Sequence, residues 1–182
     1  MRFILYPFFF LLSELSCLYL FLFLWVHESC HYWMGRLFGV NFHSIQFKQN
    51  GAAVVMDVLW LKTRTIKKNL IHGMILLAPL TMNILLTIGY ISYNHPMIIE
   101  LLIFQIMLYV LGFFPSSSDW KNFFGICFNL QPQSYSSFEV KKRIVKQNNH
   151  CIWIPHMGIS NLIPTYLRYR RKYYPIFPIK DS

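Results

Sequence analysis

The chain has 182 residues, of which 55% are hydrophobic and only 13% are charged. A soluble domain usually carries about 25% charged residues, so the composition argues against a soluble protein and indicates a membrane protein. The net charge of +10 is assigned to contact with anionic lipid headgroups, and nucleic acid is not expected as a partner. The four cysteines form no CxxC pair, so neither a thiol redox site nor a cysteine zinc site is indicated.

Three apolar stretches are predicted to cross the membrane, because a bilayer core of about 30 Å needs roughly 20 apolar residues. They cover residues 5–34, 70–93 and 97–114. No small-residue cleavage site follows the start of the first stretch, which is therefore interpreted as a retained membrane segment and not as a signal peptide.

The segment "NFHSIQFKQNGAAVVMD" between the first two stretches predicts a small β-hairpin. Ile45 and Phe47 alternate with polar residues, and Asn50-Gly51 is a strong turn signal. A plain interfacial loop is the alternative. The expected fold class is an all-α membrane protein with a core of three transmembrane helices and a small β-hairpin between helices one and two. Residues 1–130 are expected to form the membrane-embedded core, and 131–182 a basic cytoplasmic or interfacial tail.

The positive charges predict how the stretches are oriented, because Lys and Arg concentrate in cytoplasmic loops. One precedes the first stretch, six lie between the first and second, none lies in the turn before the third, and ten follow it. This pattern predicts an integral protein of a bacterial cell membrane, with the N-terminus outside and the C-terminus in the cytoplasm.

The stretch "LFLWVHESCHYWMGRLFGV", residues 22–40, carries the clearest chemical motif of the chain. His27 and His31 are four residues apart, so a helix places both rings on one face, which is the spacing of two zinc ligands. Glu28 lies beside them and can take a proton from a zinc-bound water. Ionisable residues in a membrane segment are costly and indicate a function, so a site for one Zn²⁺ ion is expected. The alternative is a chance occurrence of the motif.

A zinc hydrolase needs a third protein ligand and an open fourth position. Asp119, in "GFFPSSSDW", is the candidate, because a proline and three serines break the helix there. The alternative is that Asp119 caps the next helix. Glu14 and Glu100 are too distant from His27 along the predicted helices. The other histidines are expected to be interfacial or core residues, with the last two kept as alternative ligands: His43, His72, His95, His150 and His156.

Three further residues are candidates for substrate binding. Asn83 is an amide inside the second stretch, where it can either join two helices or hydrogen-bond a substrate backbone. Ile45 and Phe47 lie on the predicted hairpin, which could hold an unwound substrate by strand addition. Such a role suits a membrane substrate, because a helix hides its carbonyls in backbone hydrogen bonds.

These motifs resemble those of the site-2 protease family of intramembrane zinc metalloproteases, in a small form without a PDZ module. "HESCHYWMGRLFGV" is similar to the family's first core helix, "FFPSSSDW" to its second motif, and "LLAPLTMNILL" to its Gly-Pro-x-x-Asn helix. The resemblance covers residues 22–120 and implies a three-helix catalytic core with the metal on the cytosolic side. It implies four site residues, namely the zinc ligands His27, His31 and Asp119 and the catalytic base Glu28. Trp120 and Ala78 stand where the family has glycine, and Asn83 is one residue further from Pro79 than the pattern has it.

The expected function is that of a membrane-embedded zinc metalloendopeptidase, with residues 1–130 as the metallopeptidase core. It would hydrolyse a peptide bond in a membrane-inserted protein or a small peptide precursor, as in regulated intramembrane proteolysis. The alternative is a non-catalytic membrane interaction or immunity protein that keeps the same fold. A transporter or channel is disfavoured, because the second and third stretches carry few polar residues.

Overall fold

The computed structural model describes residues 2–49, 51–56, 66–127, 151–155 and 158–174. His150 and His156, the two alternative zinc ligands, lie outside these residues. So does the expected boundary between core and tail at residue 130.

The described chain is mostly helical and contains one small sheet. Its elements, in chain order, are α1 (Arg2–Leu37), β1 (Phe42–Lys48), β2 (Gly51–Met56), α2 (Ile66–Leu76), α3 (Ala78–Asn94), α4 (Ile98–Val110), α5 (Ser117–Cys127), β3 (Cys151–Trp153), a 3₁₀ turn (Ile159–Asn161) and α6 (Leu162–Tyr173).

The predicted core of three transmembrane helices is wrong. Among the described residues, one helix is long and apolar enough to cross a membrane, Phe10–Leu37 within α1. A second crossing exists only if Lys67–Leu76 and Ala78–Asn94 count as one span, although they are bent by 63°. The bend follows from Pro79, which lacks the amide that would continue α2 into α3. Helix α4 is apolar but has only 13 residues, about 20 Å at 1.5 Å per residue.

The hairpin predicted between the first and second stretches is present as β1 and β2, but it is part of a larger sheet. Strand β3, from the C-terminal region, pairs with the other side of β1, so that the strand order is β2-β1-β3 and both pairings are antiparallel. The fold class expected from the sequence lacked this third strand. Strand β1 is therefore central, and β2 has no strand on its outer side in the described chain.

The sheet packs along α1 and shares one apolar core with α6. The ring of Phe21 in α1 packs against those of Phe47 in β1 and Tyr169 in α6, with ring centroids 4.6 Å and 5.4 Å away. Trp25 and Trp153 meet edge to face at 5.6 Å. The described residues beyond position 150 thus belong to the same core as α1.

Helix α6 lies against the N-terminal part of α1. Arg170 donates two hydrogen bonds through Nε and one through Nη2 to the carboxylate of Glu14, and Tyr169 donates to the carbonyl of Gln49 at the hairpin tip. The 22 positions from Glu14 to Arg36 correspond to about 33 Å along the helix. The basic C-terminal helix therefore packs against the N-terminal half of α1, whereas the loop after Arg36 follows the C-terminal end of α1. The sequence had predicted both on the cytoplasmic face.

Candidate metal centre

Two histidines and an aspartate converge at the middle of the structure. His27 and His31 extend from α1, and Asp119 from the first turn of α5. The Nε2 atoms of the two rings are 3.3 Å apart, and Asp119 Oδ2 lies 3.1 Å from that of His27 and 3.6 Å from that of His31. All three residues are buried, with at most 9% of their surface exposed. This group could hold a metal ion.

The orientation of each ring is fixed by a backbone carbonyl. His27 Nδ1 donates to the carbonyl of Gly112 at 3.0 Å, and His31 Nδ1 donates to that of Ile75 at 2.6 Å. A carbonyl only accepts, so Nδ1 carries the hydrogen and the neutral ring presents a lone pair at Nε2. This is how metal-ligating histidines are usually held.

Both carbonyls are available for a reason visible in the sequence. In a continuous helix the Ile75 carbonyl would accept from the amide four residues later, but that residue is Pro79, which has no N–H. Gly112 follows α4 with φ of +91°, a conformation that favours glycine. A Cβ there would also lie 2.9 Å from the Phe23 carbonyl of α1. Sequence analysis missed both carbonyls, although the proline was a usable signal.

Asp119 is held by a reciprocal cap at the start of α5. The Ser116 amide and hydroxyl donate to Asp119 Oδ2 at 2.8 and 2.7 Å, and the Asp119 amide donates back to Ser116 Oγ at 3.2 Å. This is a capping box with aspartate at its third position. Asp119 thus belongs to the cap of the helix, which was one of the two alternatives left by the sequence, and it also faces the histidines.

The surroundings of Asp119 keep its carboxyl group anionic. Burial raises the pKa of Asp119, but the hydrogen bonds that His27 and His31 donate through Nε2 when their rings are protonated, together with those from Ser116, outweigh that effect, so that the net pKa lies well below the usual aspartate range. An anionic oxygen and two imidazole nitrogens are the ligand types that zinc and similar ions prefer.

The spacing of the three ligand atoms fits a tetrahedral ion. Zn–N and Zn–O bonds of about 2.0–2.2 Å imply ligand–ligand distances of roughly 3.3 Å, and the observed edges are 3.1, 3.3 and 3.6 Å. Two lone pairs and a carboxylate oxygen at these distances repel each other unless a cation lies among them. That cation can be a proton on one ring or a metal ion.

Glu28 is next to the triangle and is not one of its members. It is buried on α1, and its carboxylate accepts a hydrogen bond from the backbone amide of Val54 on β2. That amide therefore points out of the outer edge of the sheet, away from β1. The carboxylate predicted to be a base consequently stands beside the outer edge of β2, which has no strand partner in the described chain.

The three residues expected to bind substrate lie in two different places, one on a helix and two on the central strand. Asn83 is buried on α3, and its Nδ2 has no hydrogen-bond partner in the described part of the chain. Ile45 and Phe47 are fully buried in the core on the central strand β1. They cannot present a free edge, because β2 and β3 already pair with both sides of β1.

Trp120, which stands where a glycine was expected, has an ordinary helical place in α5. Its amide donates to the Ser116 carbonyl at 3.1 Å, and its ring stacks on Phe124 at 5.8 Å. Among the described non-glycine residues, only His95 has a positive φ. A glycine at position 120 is therefore not required to aim Asp119 at the histidines.

Comparisons with protein-family models, with curated proteins and with solved structures found no match. The resemblance of the three motifs to site-2 proteases stays a prediction. What bears on the function is therefore the chemistry of the site itself.

Proposed function

We propose that the chain is a membrane-embedded zinc metallopeptidase. The observation that carries the proposal is the triangle of His27 Nε2, His31 Nε2 and Asp119 Oδ2, whose edges of 3.1–3.6 Å match a tetrahedral ion. Two neutral imidazoles and one carboxylate would leave a bound Zn²⁺ with one net positive charge. Three protein ligands also leave a fourth position open, which is the pattern of catalytic and not of structural zinc sites.

Glu28 is proposed as the catalytic base. A bound zinc ion would lower the pKa of its water to about 7 and polarise a carbonyl. Glu28 follows His27 directly on α1, so its carboxylate is at the site without being one of the ligands. The hydrogen bond from the Val54 amide orients the carboxylate and leaves its other lone pairs to accept a proton.

The outer edge of β2 is proposed as the place where the substrate is held extended. Strand addition uses main-chain hydrogen bonds, so it suits a segment of any sequence that has left its helical form. The edge adjoins Glu28, which places an added strand next to the base. Asn83 Nδ2, which has no hydrogen-bond partner among the described residues, is a second donor for a substrate carbonyl.

A membrane location is proposed from the surface of the helices. Within Phe10–Leu37, only 22% of the apolar 18-residue stretch is buried inside the protein, whereas the core helix of a soluble protein is mostly buried. Helices α3 and α4 also expose large apolar side chains that a bilayer would cover, among them Leu85, Ile88, Ile98 and Ile106. A membrane-inserted protein or peptide is the substrate class that such a location offers.

The proposal is tested by measuring metal content and hydrolysis on the same purified samples. Zinc-loaded wild type in detergent is incubated with a panel of fluorogenic peptides derived from transmembrane segments. We expect Glu28→Gln to retain the metal and to lose hydrolysis, and His31→Ala to lose both. A wild type that binds zinc but cleaves no more of the panel than Glu28→Gln would support the non-catalytic alternative.

A further inference from the structure

The 3₁₀ turn at Ile159–Asn161 and the helix α6 that follows it expose two chemically distinct stripes. The apolar stripe consists of Ile159, Ile163 and Leu167, whose surfaces are 71%, 68% and 53% exposed. The basic stripe consists of Arg168, Arg171 and Lys172, all of which are exposed. The opposite face of the helix, with Thr165 and Tyr169, is buried against the core.

The two stripes lie side by side on one half of the helix. An α-helix turns by about 100° per residue, so around the helix axis Leu167 lies about 40° from Ile163, and Arg171 lies about 80° from Ile163. Arg168 and Lys172 complete the half turn. Arg170, which pairs with Glu14 of α1, is about 20° from Ile163 on the other side. The apolar stripe therefore lies on the side of α6 where it meets α1, and the basic stripe lies away from it.

The position of α6 along α1 corresponds to a membrane surface. Between Glu14 and Arg36, Glu28 is the only charged residue of the sequence, and the distance of about 33 Å matches a hydrocarbon core of about 30 Å. The ion pair between Glu14 and Arg170 thus holds α6 near one boundary of that core. Next to it, α1 exposes Leu11, Leu15 and Leu18.

We propose that α6 is an interfacial helix that binds the anionic phospholipid headgroups of the bilayer crossed by α1. The apolar stripe enters the boundary of the acyl chains, and Arg168 and Arg171 contact the phosphates above it. A nucleic acid or an acidic peptide would match the charges but would leave the apolar stripe in water. The inference rests on the proposed membrane location and is independent of the peptidase activity.

The experiment places a fluorophore next to both stripes in the full-length protein. Leu167→Cys is labelled in a Cys127→Ser background, where the remaining native cysteines are buried. The protein is reconstituted in phosphatidylcholine vesicles that contain a small fraction of spin-labelled phosphatidylglycerol or of spin-labelled phosphatidylcholine. The ratio of quenching by these two lipids measures the preference of α6 for the anionic headgroup.

The expected ratio for wild type is roughly fivefold or more at low salt, because one basic residue near an anionic surface contributes about that factor. Arg168→Gln/Arg171→Gln should lower the ratio severalfold, although Lys172 remains in the stripe. The matched control Lys67→Gln/Lys121→Gln removes the same charge from exposed positions elsewhere and should leave the ratio unchanged. Metal content should be equal in all three proteins.

Three results would overturn the proposal. They are a wild-type ratio near one, a high ratio that the arginine variant keeps, and a ratio abolished by micromolar RNA oligonucleotide, which would assign the basic stripe to nucleic acid. Extraction by alkaline carbonate distinguishes failure of the location from failure of the inference. Carbonate-extractable protein refutes membrane insertion, whereas resistant protein with an unquenched label refutes only the contact of α6 with lipid.

Discussion

Replacing Pro79 by alanine should weaken metal binding although residue 79 is not one of the proposed metal ligands. The change introduces an amide N–H four residues after Ile75, in the position from which a helix amide donates to that carbonyl. The new donor competes with His31 Nδ1, which now donates to the same oxygen at 2.6 Å. The ring of His31 then loses the contact that fixes its orientation and its tautomer.

The expected loss of zinc affinity follows from the role of the Ile75 carbonyl. Losing an outer contact of a metal-ligating histidine typically weakens metal affinity 10- to 100-fold, which is about 1.4–2.7 kcal/mol. The variant should still fold, because alanine is a better helix residue than proline, although the side chain of Pro79 is fully buried and its loss leaves a small cavity. The bend of 63° between the two helices should decrease as the helix becomes continuous.

The assay is a competition between the protein and a chromogenic zinc chelator in detergent, with helix content followed by circular dichroism. Pro164→Ala, in the first turn of α6, is the matched control, since it adds an amide far from the histidines and should leave the zinc Kd unchanged. A Pro79→Ala protein with the wild-type Kd, alongside a His31→Ala protein that binds no zinc, would refute the role assigned to the Ile75 carbonyl.

Three further outcomes are expected. Glu28→Gln should keep zinc and lose 10²- to 10⁴-fold in the rate of peptide hydrolysis, the usual contribution of a general base; loss of zinc would contradict its role. Ala52→Pro removes an amide that points outward from the open edge of β2, so it should lower hydrolysis while the protein stays folded. Ala53→Pro is the comparison, because it removes a backbone hydrogen bond to β1 and should lower the melting temperature. Equal hydrolysis by wild type and Ala52→Pro would argue against strand addition. At pH 8 a maleimide should label Cys127 first, because burial raises the pKa of Cys151 against the lowering effect of nearby cations and keeps its thiol protonated; rapid labelling of a Cys127→Ser protein would contradict this.

The part of the site that could be predicted from the sequence is the part set by local spacing. The separation of His27 and His31 depends only on the helical period. Asp119 follows a proline and three serines, which signal a helix start, and its cap with Ser116 is an interaction over three residues. These contacts need no knowledge of the tertiary fold.

The parts that could not be predicted depend on contacts between distant segments. Strand β3 pairs with β1 across about a hundred residues, and three residues of ordinary composition carry no periodic signal for it. The attachment of α6 to Glu14 is similarly distant, and the charge count alone did not indicate that this helix packs beside Glu14. The error in the number of spans had a local cause, because apolar length was counted without treating Pro79 as a helix break.

The orientation of the histidine rings could be predicted only in part. The Ile75 carbonyl is free because of a proline in the sequence, but only the packing of α2 on α1 brings it to His31. Composition favoured a membrane protein, the spacing of His27 and His31 favoured a metal site, and the packing determined which backbone atoms support that site.

The most direct test of the metal centre is the zinc content of purified protein measured by inductively coupled plasma mass spectrometry. Wild type should hold one zinc ion per chain, and Asp119→Ala should hold much less. Glu100→Ala is the matched control, because Glu100 is an acidic residue that caps α4 away from the histidines, and it should keep the zinc. Full zinc in Asp119→Ala, together with its loss in His150→Ala or His156→Ala, would contradict the ligand set of His27, His31 and Asp119.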